Sequence, residues 1–281
     1  MKSDVKKLAV VASGWHFPIS FYEQIAKQKI PAGWEVEMFV VSHRDPSYSE
    51  KEKVETFTKM GYSRRDLYDR LMYRKVATVG EIEALGWNYE LHPNTMGDWG
   101  CINQWLDKFD YKKYDKFLFT HDDNVILTDE VFNDVLPQDN WLIMSNSSGN
   151  AQRRLRQFFH LKKPFTARGS FEFFTREMMD MIGGRFDLSR VSFTREGKFD
   201  SPKDFKEISS WNDNDRAIKD FVDSHNLTDR VKSLSDYYRM SIYCLEGERG
   251  FISSTDISNT KEEEKGLDAV EKYYRKNNVK N

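Results

Sequence analysis

The chain has 281 residues, with 43 Lys and Arg against 45 Asp and Glu for a formal charge of −2, and it is 39% hydrophobic and 14% aromatic. That content can bury a sizeable core and excludes a chain left disordered for want of apolar residues. Charge this close to neutral lacks the basic footprint of a duplex-binding protein, so no nucleic-acid partner is expected.

Leu8 to Ala12 is a continuous apolar run closed by Ser13-Gly14, which predicts a strand buried on both faces of a parallel sheet. The run falls short of the about 7–15 apolar residues of a secretory leader. Phe17, Phe21, Ile25 and Ala26 predict a helix from Phe17 to Lys29, stopped by Pro31-Ala32-Gly33. Trp34 to Ser42 reads as the second strand, and the β-α-β order calls for a right-handed crossover. A helix follows from Arg64 to Arg74, then a strand from Trp87 to Leu91 and a helix carrying Cys101, Ile102, Trp105, Leu106 and Phe109. Buried strands are predicted at Phe117 to Thr120 and Trp141 to Met144. An apolar stretch at Phe171 to Phe174 leads into a helix from Thr175 to Ile182 that Gly183-Gly184 can cap. Asn214 to Val222 reads as a helix, whereas Tyr238 to Leu245 fits strand or helix equally. Leu267, Val270 and Tyr274 place a surface helix in the charged tail.

At about 150 residues per domain the length admits two units or one large α/β domain. The expected division is a main domain over 1–235 and a C-terminal extension over 236–281. Cys101 and Cys244 are far apart with no CxxC pair, so neither a disulfide framework nor a cysteine zinc site is indicated, and a reducing, cytoplasmic location is expected. No run approaches the ~20 apolar residues of a membrane span.

An open parallel sheet takes ligands beyond the carboxyl ends of its strands. His16, His43, His92 and His121 all fall there, with Ser13, Asp45, Asn94, Asp122 and Asp123. Polar residues flank any buried strand, so that plainer reading stands beside the functional one. The sharpest signal is Phe117-Leu118-Phe119-Thr120 running into His121-Asp122-Asp123-Asn124. Strand alternation puts His121 and Asp123 on one side and Asp122 and Asn124 on the other. Asp123 suits a divalent cation that bridges a diphosphate, and an imidazole beside it favours Mn²⁺ over Mg²⁺. The same residues also suit a turn or helix cap.

Asp213 and Asp215, in Asn212-Asp213-Asn214-Asp215, could take a proton from a hydroxyl or cap the helix at Arg216. The basic stretch from Arg153 to Lys163 suits an anionic ligand such as a lipid diphosphate, an anionic membrane, the phosphates of a bound nucleotide or simply a solvated helix face. Trp99 and Trp211, read as loop residues at the same edge, are candidate platforms for a sugar ring. GxxxxGK[ST], GxGxxG and HExxH are absent, which counts against a P-loop NTPase, a Rossmann dehydrogenase and a zincin.

The order of Ala12-Ser13-Gly14, His43 to Asp45, the Asn94 loop and His121-Asp122-Asp123 resembles nucleotide-sugar-dependent glycosyltransferases of the GT-A fold, family-2-like. The DxD motif of that family appears as His-Asp-Asp, with His121 in place of the first aspartate and Asp123 matching the last; a register using Asp122 and Asn124 is the alternative. Asn94 to Asn103, including Gly97, looks like the family's Gly-rich loop and helix before the DxD strand. Arg168 to Arg176 with Gly183 to Asp187 is similar to part of its donor-sugar and acceptor site, and Trp211 to Asp215 resembles its acidic motif. The resemblance implies a GT-A-like Rossmann-type α/β/α sandwich with a mostly parallel central sheet and a helical C-terminal extension.

It further implies inverting transfer of a sugar from a nucleoside-diphosphate donor, UDP-linked by the commonest family choice, to a hydroxyl of a glycan, lipid-linked or other acceptor, with peripheral membrane contact left open. In that scheme Asp213 matches the base and Asp215 the acidic residue two further on. Asp123 and His121 hold Mn²⁺ or Mg²⁺, and Ala12, Ser13, Gly14, His43, Asp45, Asn94, Gly97, His121 and Asp122 contact the donor. Two alternatives stay open. A sugar-1-phosphate nucleotidyltransferase would show a Gly-rich basic loop where this chain has Ser13 to Pro18, and a non-catalytic binding module on the same fold is invited by His121.

Overall fold

Period-two alternation along β1 (Lys6–Gly14) turns Leu8, Val10 and Ala12 into one hydrophobic layer and Ala9 and Val11 into the other, and all five are fully buried. The computed structural model describes residues 5–47, 76–93, 97–122, 124–126, 128–145, 171–188, 212–234 and 242–244. In chain order the other strands are β2 (Trp34–Ser42), β3 (Trp87–Leu91), β4 (Lys116–His121), β5 (Asn124–Ile126), β6 (Ile143–Ser145), β7 (Phe171–Thr175), β8 (Val231–Ser233) and β9 (Ile242–Cys244). The helices are α1 (Ile19–Ala26), α2 (Val79–Ala84), α3 (Gly97–Lys108), α4 (Val131–Val135), α5 (Arg176–Met181) and α6 (Asn212–Ser224).

Seven strands form one sheet in the order β3-β2-β1-β4-β7-β6-β8, and β5 pairs with β9 in a second. Strands β1 to β4 run parallel, β7 runs against both β4 and β6, and β8 is parallel to β6, so β7 alone is reversed in the large sheet. Helices cover both faces. Phe21, Tyr22 and Ile25 of α1, Ile82 of α2 and Phe132 of α4 join the layer of Leu8 and Val10. Ile102 and Trp105 of α3, Met178 and Met179 of α5, and Ile218 and Val222 of α6 join that of Ala9 and Val11. This is the mostly parallel α/β/α sandwich the sequence led us to expect. Phe117, Phe119, Phe173 and Phe174, all buried, come from adjacent β4 and β7; each contributes about 1.5–3 kcal/mol by leaving water.

Departures from expectation are local. Helix α1 begins at Ile19, two residues later than expected, because Phe17 is left-handed (φ 54°) and Pro18 occupies the N-cap. The α5 helix has Thr175 as its N-cap, whose side chain accepts from the Met178 amide, and it ends on left-handed Gly183 and Gly184 as predicted. Ile242–Cys244 resolves the undecided segment as a strand against β5. Helix α2 was not anticipated, although Thr78 and Glu81 form a capping box that announces it. The helices expected at Arg64 to Arg74 and in the tail lie outside the described residues. Among the described residues no helix is long and apolar enough to cross a membrane.

The end of β4 opposite the candidate site is anchored by Lys116. Its buried ammonium donates to the Leu136 and Gln138 carbonyls (2.8 and 2.5 Å) and lies 4.5 Å from the centre of the Trp141 ring. Burial pulls its pKa down to about 8. The native state therefore releases this proton more readily than the unfolded chain, and stability from this group grows as pH rises from about 8 towards 10.5. Lys116→Met is expected to flatten that part of the stability profile, read as unfolding free energy against pH by guanidinium titration of variant and wild type. Identical profiles would refute the assignment.

Candidate active site

Strand register brings the predicted residues to one edge. Ser13 lies opposite His121, Gly14 opposite Ser42, and Ser42 opposite Leu91, so the segments following β1, β2, β3 and β4 emerge side by side. Ser42 Oγ lies 2.6 Å from the Gly14 carbonyl oxygen and accepts from the Arg44 amide at 3.1 Å, which fixes two of these segments together. Gly14 is required by space: a Cβ there would stand 2.8 Å from both Phe17 Cε1 and Val40 Cγ1. Ala12 and Ser13, both buried, complete the end of β1.

The loop after β1 is held by one carboxylate. Asp122 Oδ2 accepts from the amides of Trp15 (2.8 Å), His16 (3.0 Å) and Phe17 (2.7 Å) and from the Tyr22 hydroxyl (3.2 Å), and Oδ1 lies 3.2 Å from the His16 amide. Successive amides converging on one anion make a nest, and left-handed Phe17 provides the curvature. Burial pushes the Asp122 carboxyl above the ordinary carboxylate range against the pull of those amides and of Arg44. Burial, reinforced by Asp122, raises Tyr22 well above its usual value, so its hydroxyl remains a donor. The expectation that Asp122 contacts a donor thus meets a different arrangement: its oxygens are turned inward onto the main chain. Asn124, of the alternative register, is likewise buried, its amide donating to Thr120 Oγ1 (3.2 Å) and the His121 carbonyl (3.0 Å).

Arg44 closes the loop from outside. Its Nε donates to the Trp15 carbonyl at 2.6 Å while its guanidinium stacks 3.8 Å from the centre of the Trp15 ring. Beneath it, burial and then the charges of Arg44 and His121 hold His16 well below the usual imidazole range, which keeps it neutral.

His121 takes the other side of the β4 turn. Its Nε2 lies 3.2 Å from Asp98 Oδ2, with about a quarter of each side chain open to solvent. Asp98 stands in the first turn of α3, which starts at left-handed Gly97, and its carbonyl accepts from Ser13 Oγ at 3.2 Å. Alternation anticipated that His121 and Asp122 face opposite sides; Asp98, the partner of His121, was not selected from the sequence. His43 donates from Nε2 to Gln104 Oε1 at 2.9 Å and lies 3.4 Å from Cys101 Sγ. Burial depresses His43 and raises the Cys101 thiol well above its usual value, so both are neutral.

The remaining candidates divide between the edge and the core. His92 faces Glu90 at 2.9 Å, and Asp45 turns back on the Ser47 amide at 2.8 Å. Trp99, expected in a loop, is on α3 and packs its ring 4.5 Å from that of Phe186 in the core, which removes it as a sugar platform. The backbones of Asp213 and Asp215 lie in the first turn of α6, since the helix begins at Asn212 rather than Arg216. Their side chains lie outside the described set, as do Asn94, Asp123, Trp211 and the basic stretch from Arg153 to Lys163.

Among the described residues no group of three or more His, Cys, Asp or Glu side chains is arranged to hold a metal ion. Asp122 does not fit as a ligand, because its carboxylate is engaged by three amides. His121 and Asp98, each about a quarter exposed at the carboxyl edge of the sheet, offer an imidazole nitrogen and a carboxylate oxygen, donor types that a borderline divalent cation takes.

No protein-family model matches the chain, and no curated protein matches it in sequence. Solved structures similar to it at low identity include three glycosyltransferases. The mannosyltransferase PcManGT from Pyrobaculum calidifontis, in complex with GDP-Man and Mn²⁺, has a TM-score of 0.38 at 16% identity over 65% of this chain and 48% of its own. The glycosyltransferase GlyE from Streptococcus pneumoniae has a TM-score of 0.38 at 10% identity over 83% and 46%. The catalytic domain of Drosophila beta1,4galactosyltransferase 7, in complex with xylobiose, has a TM-score of 0.34 at 11% identity over 82% and 65%. The chain spans less than half the length of the first two.

Proposed function

We propose that this chain is a glycosyltransferase that moves a sugar from a nucleoside-diphosphate donor, first of all a UDP-sugar, to an acceptor hydroxyl with inversion and with a divalent cation. The observation that carries the reading is the edge itself: the end of β1, the segments after β2 and β3, and the His121 turn of β4 converge at the carboxyl ends of parallel strands, where such sheets take nucleotides. The loop from Gly14 to Phe17, preset by Asp122 and Arg44, forms a rigid wall beside that turn. Preorganised groups are what transfer through a charged leaving group requires.

In this reading His121 and Asp123 hold the cation, with Mn²⁺ favoured over Mg²⁺ by the imidazole. When bound, the cation neutralises charge that builds on the departing diphosphate. Asp213 takes the proton of the acceptor hydroxyl as that oxygen attacks the anomeric carbon, and Asp215 supports it from the same helical turn. Ser13, Gly14 and His43 line the donor side.

The test is a panel of UDP- and GDP-sugars with released nucleoside diphosphate as the readout, run with Mn²⁺, with Mg²⁺ and with chelator. Metal-dependent release is expected for at least one donor, and Asp123→Ala is expected to lower it by about 10²-fold or more through loss of the electrostatic contribution. Normal metal-dependent turnover in that variant would remove Asp123 from the site. Nucleotide binding by calorimetry without any turnover would make the chain a binding module.

A further inference from the structure

One residue of α3 bridges two of the segments that meet at the edge. The side chain of Gln104 places Oε1 2.9 Å from Nε2 of His43, which follows β2, and donates from its own Nε2 to the carbonyl of Pro93, which follows β3, also at 2.9 Å. A carbonyl oxygen only accepts, so the NH₂ end of the amide must face Pro93, and Oε1, which has no proton to give, must face His43. The proton between them therefore sits on the ring, at Nε2.

Cys101, one helical turn earlier on α3, does not compete for that proton. Its sulfur stands 3.4 Å from Nε2 and 3.7 Å from Nδ1, and a sulfur in line with either nitrogen would be far from the other, so it lies against the ring and restrains its rotation. The thiol is neutral, because burial raises it well above its usual value. Asp98 favours the charged ring and His92 opposes it, but burial is the largest influence and leaves His43 below the usual imidazole range.

We infer that Gln104 is a positioning residue for His43: it holds the imidazole as the Nε2–H tautomer with its ring direction fixed. The inference rests on the proposed donor-side place of His43 only for its effect on nucleotide binding. A ring of settled tautomer meets an incoming ligand with one hydrogen-bonding pattern instead of two, so less freedom is lost on binding. Glutamine achieves this without charge, whereas a glutamate would keep the same tautomer and favour the imidazolium.

Two measurements test it. Long-range ¹H–¹⁵N spectra of the ¹⁵N-histidine-labelled protein report both the tautomer and the titration of His43, assigned with His43→Gln among the 6 histidines. At pH 8 the wild type is expected to show Nε2–H. Gln104→Ala is expected to give a mixture of tautomers and a lower His43 pKa, Gln104→Glu to keep Nε2–H and raise that pKa, and Cys101→Ala to leave the tautomer unchanged. Calorimetric titration with UDP, GDP, ADP, CDP and TDP in the presence of Mg²⁺ is expected to show the affinity for whichever nucleotide the wild type binds falling about 2–10-fold in Gln104→Ala, the net contribution of one hydrogen bond.

A wild-type His43 found as Nδ1–H overturns the inference, as does a tautomer unchanged in Gln104→Ala. A tautomer that changes in Cys101→Ala instead gives the role to the thiol. A changed tautomer with unchanged nucleotide affinity removes the positioning role. A wild type that binds none of the nucleotides overturns the donor-side reading, and the spectra then decide separately whether Gln104 sets the ring. Thermal melts of the variants establish that they are folded.

Discussion

Asp122→Ala is expected to melt about 10 °C or more below the wild type. The substitution removes the shared acceptor of the Trp15, His16 and Phe17 amides of the loop and of the Tyr22 hydroxyl from α1. Each buried donor left without a partner costs about 1–3 kcal/mol, because its water was given up on folding and nothing replaces it. Several together exceed about 4 kcal/mol, a size reached only by a few mechanisms, and for a domain of this length each kcal/mol moves the midpoint by about 2–4 °C. The left-handed conformation of Phe17 adds to the loss, since a non-glycine residue keeps it only while its surroundings hold it. Asp122→Asn retains one acceptor oxygen but turns its NH₂ towards amide donors, so it should fall between alanine and wild type. A melt of Asp122→Ala within about 2 °C of wild type would mean that the loop is held by other contacts.

Asp213→Asn is expected to lower turnover by about 10²–10⁴-fold, the usual contribution of a general base, while leaving donor affinity within about twofold. The amide has nearly the shape of the carboxylate and cannot take a proton, so an effect confined to kcat identifies proton abstraction, whereas a rise in KM alone would indicate binding. Asp215→Asn, two residues further along the same first turn of α6, serves as the comparison. Stability should hardly move in either variant, because an amide also serves at a helix N-terminus. Full activity in Asp213→Asn with a collapse in Asp215→Asn would exchange the two roles.

Much of the scaffold could be read before folding because burial on both faces leaves a continuous apolar run, and Leu8 to Ala12 and Phe117 to Thr120 are such runs. The gathering of His16, His43, His92 and His121 at one edge followed from parallel strands alone, since every carboxyl end then points the same way. Short elements escaped: α4, β5 and β8 have too few residues to show a period, and tertiary packing decides them. Asp122 escaped for a different reason. Alternation correctly set it on the side away from His121, but the amides that bind it belong to a loop near residue 16. Asp98 carried no local sign either, because its meaning depends on a ring delivered from another strand. Helix α2 was a missed signal, since its capping box is present in the sequence at Thr78 and Glu81.

The pairing of β5 with β9 orders events during synthesis. Asn124 to Ile126 directly follow the His121 turn, yet their strand partners, Ile242 to Cys244, are translated long after the rest of the β1 to β4 edge has been made. A nascent chain halted before β9 can form the large sheet and the Asp122 clasp, but it presents the segment beside the His121 turn as an unpaired edge, open to foreign strands. The emerging polypeptide therefore carries an edge open to mispairing beside the site where its chemistry is proposed to occur, until Ile242 to Cys244 have been made.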